Sequence, residues 1–212
     1  MNNSCPPTSS PTVFLIDDDP SVRRALTRLI RAAGYEIKAF ASALEFIDGK
    51  PEVATPACLV LDVRMPGLSG LDLQSELGAA NANLPIIFIT GHGDIPMSVK
   101  AMKAGAVDFL PKPVQDGELL RAIENALARA MREQTEQAEQ ENIRGRFETL
   151  TPREREVMAH VVTGMLNKQI AFELGTVEKT IKVHRARVME KMGVGSLAEL
   201  VRVAGKIGIP PK

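Results

Sequence analysis

Six residues in the first half of the chain have the types that phosphoryl and metal chemistry needs: Asp17, Asp18, Asp62, Thr90, Gly91 and Lys112. The apolar runs 12–16, 58–61, 85–89 and 107–110 each deliver one or more of them at the C-terminal end. In an open parallel α/β sheet, ligands gather outside the carboxyl ends of the strands. These runs would therefore bring three carboxylates, a hydroxyl and an ammonium to one pocket. Three converging carboxylates repel one another unless a cation lies among them. Mg²⁺ suits such a set, because it takes oxygen ligands and keeps several waters. Lys112 would add a point charge for a phosphoryl oxygen and Thr90 a hydroxyl. A carboxylate can itself attack phosphorus, giving an aspartyl phosphate. The plainer reading, aspartates that cap helices and stay hydrated, suits Asp19 ahead of Pro20. It does not explain why Asp62 ends an apolar strand beside Asp17 and Asp18.

The elements that must position these groups can be read from periodicity. Strand-like runs alternate with helix-period segments five times before residue 128. Asp19-Pro20 reads as N-cap and first helical residue, and 42–45 as a capping box opening a short second helix. A third helix is expected from about Leu71, and a fourth, capped by Asp94, to about Ala104. A fifth begins near Gln115. The unit is a five-stranded α/β fold, flavodoxin-like, with expected strand order 2-1-3-4-5. Pro111 fits an edge strand, where a missing N–H breaks no ladder bond.

From Glu124 to about Arg144 the chain reads as a helical extension. Leu127, Ala130 and Met131 continue the apolar stripe of the fifth helix, which then fades. That makes it too polar to bury, hence a connector or a weak dimer seam. Beyond it, Thr151-Pro152-Arg153-Glu154 has the form of a capping box, and helix-period segments follow at about 152–163, 167–174, 177–192 and 196–207. This is a four-helix all-α module.

Composition is that of an ordinary soluble protein, with 44% hydrophobic and 25% charged residues and a net charge of zero. The halves differ, however. Residues 1–122 carry 11 Lys/Arg against 14 Asp/Glu, whereas residues 149–212 carry 11 against 6, the balance expected of a module that meets a polyanion. The two cysteines, Cys5 and Cys58, form no metal or disulfide spacing, and Cys58 reads as a small buried side chain. No export signal and no run of about 20 apolar residues is present, so a cytoplasmic address is expected.

Residues 11–128 resemble the receiver domains of two-component response regulators. The resemblance rests on Ile16-Asp17-Asp18, the block from Leu61-Asp62 through Met65-Pro66-Gly67 to Gly70, Thr90-Gly91, and Asp108-Phe109-Leu110-Pro111-Lys112-Pro113. It implies that Asp62 accepts a phosphoryl group from a sensor histidine kinase. It further implies that Asp17, Asp18, Asp62 and the main-chain carbonyl of Arg64 hold Mg²⁺, Asp18 directly and Asp17 through water. Lys112 would pair with the phosphate across a cis bond to Pro113, and Thr90 with Phe109 would form a switch pair. Phe109 stands where many relatives have tyrosine, so it lacks a hydroxyl that could bond at the surface. Met97, Val99 and Met102 read as core and surface, or else as part of a phosphorylation-dependent dimer face.

Residues 149–212 contain a stretch, 151–204, that resembles the LuxR-type helix-turn-helix of the NarL/FixJ response regulators. The matching residues include Asn167-Lys168-Gln169-Ile170-Ala171, Thr180-Ile181-Lys182-Val183-His184 and Lys191-Met192-Gly193. Val177 occupies the place of a common serine N-cap, so Thr176 is expected to take over capping. On the helix at 177–192, Ile181, Val188 and Met192 would face inward. Lys182, Val183 and Ala186 are candidates for base edges, and Lys168, Lys179, Arg185 and Arg187 for phosphates. His184 reads as structural.

The expectation is a transcriptional response regulator, with residues 129–148 as linker. Phosphorylation would promote a homodimer on double-stranded promoter DNA, with RNA polymerase a further partner, and no substrate turnover is expected. Two alternatives remain. A metal-dependent phosphohydrolase would use the same aspartate nucleophile but needs an acid/base that is not visible beside Asp62. A constitutive DNA-binding protein with a decayed receiver would not be expected to retain Asp17, Asp18, Asp62, Thr90 and Lys112 together.

Overall fold

The strands at 12–16, 57–62 and 86–90 are apolar on both faces, which requires cover on both sides of a parallel sheet. The computed structural model describes residues 11–49, 51, 56–79, 84–91 and 95–209. Their elements are β1 (Thr12–Ile16), α1 (Pro20–Ala32), β2 (Glu36–Phe40), α2 (Ala43–Gly49), β3 (Ala57–Asp62), α3 (Gly70–Ala79), β4 (Ile86–Thr90), α4 (Ile95–Lys103), β5 (Asp108–Pro111) and α5 (Asp116–Glu148), then α6 (Pro152–Val161), α7 (Asn167–Glu173), α8 (Glu178–Met192) and α9 (Leu197–Lys206). The chain divides into two compact units between Gln134 and Thr135, within α5.

In the first unit the sheet is parallel throughout, in the order β2-β1-β3-β4-β5. Every residue of β1, β3 and β4 is buried, while β2 and β5 are partly exposed, as edges must be. Alternation along the strands splits the core in two. Phe14, Ile16, Leu59, Leu61 and Phe88 pack with Phe46 of α2, Leu73 of α3 and Ala101 of α4. Val13, Leu15, Val60, Ile87 and Ile89 pack with Leu26 and Ile30 of α1 and Leu119 and Ile123 of α5. Pro111 lies opposite Thr90 on edge strand β5. Cys58 is fully buried in β3, and burial pushes its thiol up to about 12.

The local signals at the start of α1 hold: Asp19 is the N-cap, accepting from the N–H groups of Ser21 and Val22, with Pro20 first in the helix. At α2, Ser42 accepts from Glu45 N–H, but Glu45 reaches back to Ala41 N–H, one residue beyond the cap, so the capping box is not closed. Asp94, the expected cap of α4, lies outside the described residues. Three expectations about the extension fail. The helix does not stop near Arg144 but continues through Gly145 to Glu148. It is also not uniformly too polar to bury, because Ile143 and Phe147 join the core of the second unit. Met131, expected on the buried stripe, is 54% exposed, whereas Leu127 and Ala130 are buried.

The second unit is helical, closed around Val157, Met158, Val161, Ile170, Ile181, Val188, Met192 and Leu200. Thr151 and Glu154 make the expected capping box. Glu154 is almost fully buried and also meets Lys191 Nζ at 2.7 Å. The bond from Lys191 and the Thr151 N–H hold its carboxyl down to about 2. A carboxylate whose folded value lies below its unfolded value stabilises the fold above the unfolded value and loses that contribution as pH falls through the folded one. Glu154→Gln is therefore expected to destabilise this unit by roughly 2–3 kcal/mol at pH 7. In denaturant titrations followed by circular dichroism, that difference should close as the pH falls from about 4.5 to about 2. A difference independent of pH would refute the assignment.

The N-cap of α8 is Val177, with no side-chain acceptor, so Thr176 does not take over. The Thr176 N–H instead closes the preceding turn on the Ala171 carbonyl at 2.9 Å. Val177→Ser is expected to stabilise the unit by about 0.5–1 kcal/mol, raising its melting temperature by about 4 °C; a lowered melting temperature would contradict this.

Candidate functional site

The carboxyl ends of β1 and β3 place Asp17, Asp18 and Asp62 together. Oxygens of the three carboxylates lie within 4.8 Å of one another. Asp17 and Asp62 are buried and Asp18 is exposed. Lys112, just past β5, reaches between the two buried acids: Nζ donates to Asp17 Oδ2 at 2.7 Å and to Asp62 Oδ2 at 2.5 Å. Its backbone N–H donates to the Thr90 carbonyl at 2.7 Å, fixing the lysine to the end of β4, and the Lys112-Pro113 bond is cis. The other oxygens of the two acids are held by backbone: Asp62 Oδ1 accepts from Arg64 N–H at 3.0 Å, Asp17 Oδ1 from Asp19 N–H at 2.9 Å.

The electrostatics follow from this packing. Burial raises the Asp17 carboxyl above its ordinary value, and the hydrogen bond and charge of Lys112 pull the other way without cancelling it. Burial works against the charge of Lys112, but its bonds to Asp17 and Asp62 outweigh that and hold the ammonium above the usual lysine value. Three carboxylates and one ammonium leave two negative charges uncompensated, all on hard oxygen donors. A small divalent cation matches both the charge and the donor type.

Thr90 is buried at the end of β4. Phe109 is half-buried on β5, its ring 6.1 Å from that of Phe88. On α4, Met97 packs against the core, but Ile95 is 79% exposed, and Val99 and Met102 are each 45% exposed.

Sequence reasoning missed two supports of the acid cluster. Arg23 Nη1 donates to the main-chain carbonyls of Asp17 and Asp18 at 2.6 and 3.2 Å. The other is Gly70, whose missing side chain leaves room for the main chain of Asp62. A Cβ there would fall well inside contact distance of the Asp62 carbonyl oxygen and 3.1 Å from Leu61 Cγ. A glycine opening a helix just after a strand end was the available signal.

In the second unit α7 and α8 are joined by a tight turn at Gly175. Ile181, Val188 and Met192 of α8 are buried, leaving Lys179, Lys182, Val183, Ala186 and Arg187 exposed on the opposite side. Lys168 is exposed on α7. Arg185 is half-buried, and its Nη1 donates to Asn167 Oδ1 at 3.2 Å, tying α8 to α7. Lys182 pairs with Glu178 one turn earlier at 3.1 Å, an exposed contact worth well under ~1 kcal/mol that a phosphate or base edge can displace. His184 is half-buried and its Nδ1 has no hydrogen-bond partner among the described residues. At the C-terminal end of α8, Arg146 donates to the Met192 carbonyl and Lys191 to the Thr149 carbonyl and Glu154. Among the described residues, no helix is long and apolar enough to cross a membrane.

Comparison with known proteins gives both halves a family. Residues 13–124 match the response regulator receiver domain, and residues 148–204 match the bacterial regulatory proteins of the luxR family. The chain is 54% identical to Nodulation protein W of Bradyrhizobium diazoefficiens over 93% of its own length and 86% of that protein. It is 44% identical to the transcriptional regulatory protein FixJ of Rhizobium meliloti, covering 94% of the chain and 98% of that protein. Among solved structures it is similar to the response regulator StyR, with 47% identity, a TM-score of 0.81 and coverage of 93% of this chain and all of that one.

Proposed function

This chain belongs to the response regulators that join a receiver domain to a LuxR-family DNA-binding domain, and from that premise we propose that Asp62 takes a phosphoryl group from a sensor histidine kinase and that the modified chain dimerises on promoter DNA. The observation that carries the reading is Lys112 bonded to both Asp17 and Asp62 beside Asp18, in a chain whose second unit presents a cationic helix.

An Asp62 carboxylate oxygen attacks phosphorus. The bond from phosphorus to the donor nitrogen of the kinase histidine breaks, and its electron pair leaves with the imidazole. Each carboxylate oxygen carries lone pairs beyond those that accept from Arg64 N–H and Lys112 Nζ, so attack does not require those bonds to break first. As charge on Asp62 passes to the phosphoryl oxygens, Lys112 can follow it with an ammonium donor, and the Thr90 hydroxyl is the further donor expected from β4. Asp18, Asp62 and the Arg64 carbonyl would hold Mg²⁺, with Asp17 behind them through water. When bound, the ion supplies positive charge to the transferring phosphoryl oxygens. The chain is then a phosphoryl acceptor, not a turnover enzyme.

The exposed Val99 and Met102, with Phe109 on the adjacent strand, are the proposed dimer face. Lys182, Val183 and Ala186 would meet base edges, and Lys168, Lys179, Arg185 and Arg187 the phosphates. Recruitment of RNA polymerase, a cytoplasmic location and the division into receiver 11–128, linker 129–148 and DNA-binding domain 149–212 complete the reading.

The test is the full-length chain incubated with acetyl phosphate and Mg²⁺, followed by intact mass, sizing and retention of genomic DNA fragments. Uptake of one phosphoryl group, a doubled solution mass and at least about tenfold stronger DNA retention are expected. A phosphorylated chain that stays monomeric and binds DNA no better would refute the coupling.

A further inference from the structure

Arg23 places a positive charge beside a cluster that would hold a cation. Coulomb repulsion alone makes that a poor arrangement. Its contacts suggest a different use. Backbone N–H groups on either side of the β1–α1 turn are already committed: Asp17 N–H to the Phe40 carbonyl at 3.3 Å, Asp19 N–H to Asp17 Oδ1 and, inside α1, Arg23 N–H to the Asp19 carbonyl at 2.9 Å. The carbonyls of Asp17 and Asp18 are engaged by the half-buried Arg23, whose Nη1 donates to both. Thr27 Oγ1 donates to the Arg23 carbonyl at 2.7 Å, one turn further along α1. Both bonds leave the same nitrogen, Nη1, whose two N–H groups are held in the guanidinium plane and so fix the two acceptors in one geometry.

We infer that Arg23 is a positioning residue for the metal half of the site: by clamping the carbonyls of Asp17 and Asp18 it sets the aim of the exposed Asp18 carboxylate and so raises affinity for Mg²⁺. The inference rests on the Mg²⁺-binding reading given above. It goes beyond that reading by assigning part of the ion's affinity to a cation that does not touch it.

The experiment titrates Mg²⁺ into the full-length, unphosphorylated chain by calorimetry, with Mn²⁺ binding by electron paramagnetic resonance as a second probe. It compares wild type, Arg23→Met and Arg23→Lys at a temperature where circular dichroism shows all three folded. Arg23→Met is expected to weaken Mg²⁺ binding about tenfold, and Arg23→Lys by less, since an ammonium can still donate but its nitrogen ends one bond closer to the main chain than Nη1. The direction is diagnostic. If the guanidinium acted only as a charge, Arg23→Met would tighten binding, which would overturn the inference. A lowered melting temperature with an unchanged dissociation constant would mark a merely structural arginine and overturn it too. Should Arg23→Met fail to fold, Arg23→Lys decides, with wild-type affinity as the refuting result. A wild-type chain that binds neither ion removes the metal reading and this inference together; variants that match a wild type which does bind remove the inference alone.

Discussion

Asp62→Asn is expected to abolish phosphoryl uptake: wild type incubated with acetyl phosphate and Mg²⁺ gains the mass of one phosphoryl group, and the variant gains none. The substitution preserves shape and the oxygen that accepts from Arg64 N–H. It removes the nucleophilic charge and turns an amide NH₂ toward Lys112, in place of the oxygen 2.5 Å away. Loss of a nucleophile that nothing else in the pocket replaces costs on the order of 10³-fold in rate or more. Asp17 is no substitute, because it is fully buried and out of reach of a phosphoryl donor. A variant that still gained the same mass would place the acceptor elsewhere and sink the assignment.

Gly70→Ala should be nearly as damaging by a different route. The new methyl group would drive into the Asp62 carbonyl oxygen, which is main chain in a central strand and cannot rotate away. Overpacking of this kind costs about 3 kcal/mol, because backbone must move, and for a unit of this size should lower the melting temperature by roughly 10 °C. Because the atom displaced belongs to Asp62 itself, a shift near 1 Å should also slow phosphoryl uptake about 10²-fold. Gly67→Ala is the control. There φ is +81° with nothing within 4 Å of the added carbon, so the penalty is conformational, about 1 kcal/mol, and uptake should persist. Equal behaviour of the two variants in thermal melts and uptake assays would refute the distinction.

The sheet was legible because three of its strands are unbroken apolar runs, and parallel strands put their C-terminal residues on one side. Asp17, Asp62 and Lys112 meet for that reason, although they are 45 to 95 positions apart in sequence. Pro111 pointed correctly to an edge strand by the donor it lacks. What escaped depends on tertiary approach. Nothing in the spacing of Arg23 reveals that its side chain turns back onto two carbonyls, and Gly70 looks like any turn residue until Asp62 is seen behind it. The polar stretch before Glu148 misled because two apolar residues, Ile143 and Phe147, suffice to hold a helix end against a neighbouring core. Thr176 was assigned a capping role by proximity alone, yet the cap position follows the backbone, which turns helical after Val177.

The two ends of α8 are anchored unequally. Its last turn is gripped by Arg146, Thr149 and Glu154, while its first turn starts from a valine that offers no acceptor. Fraying in such a rod runs inward from the weak tip. The exposed Lys179, Lys182 and Val183 thus lie on the less firmly held half of α8. A polyanion that met this face would meet the end of α8 that is freer to adjust.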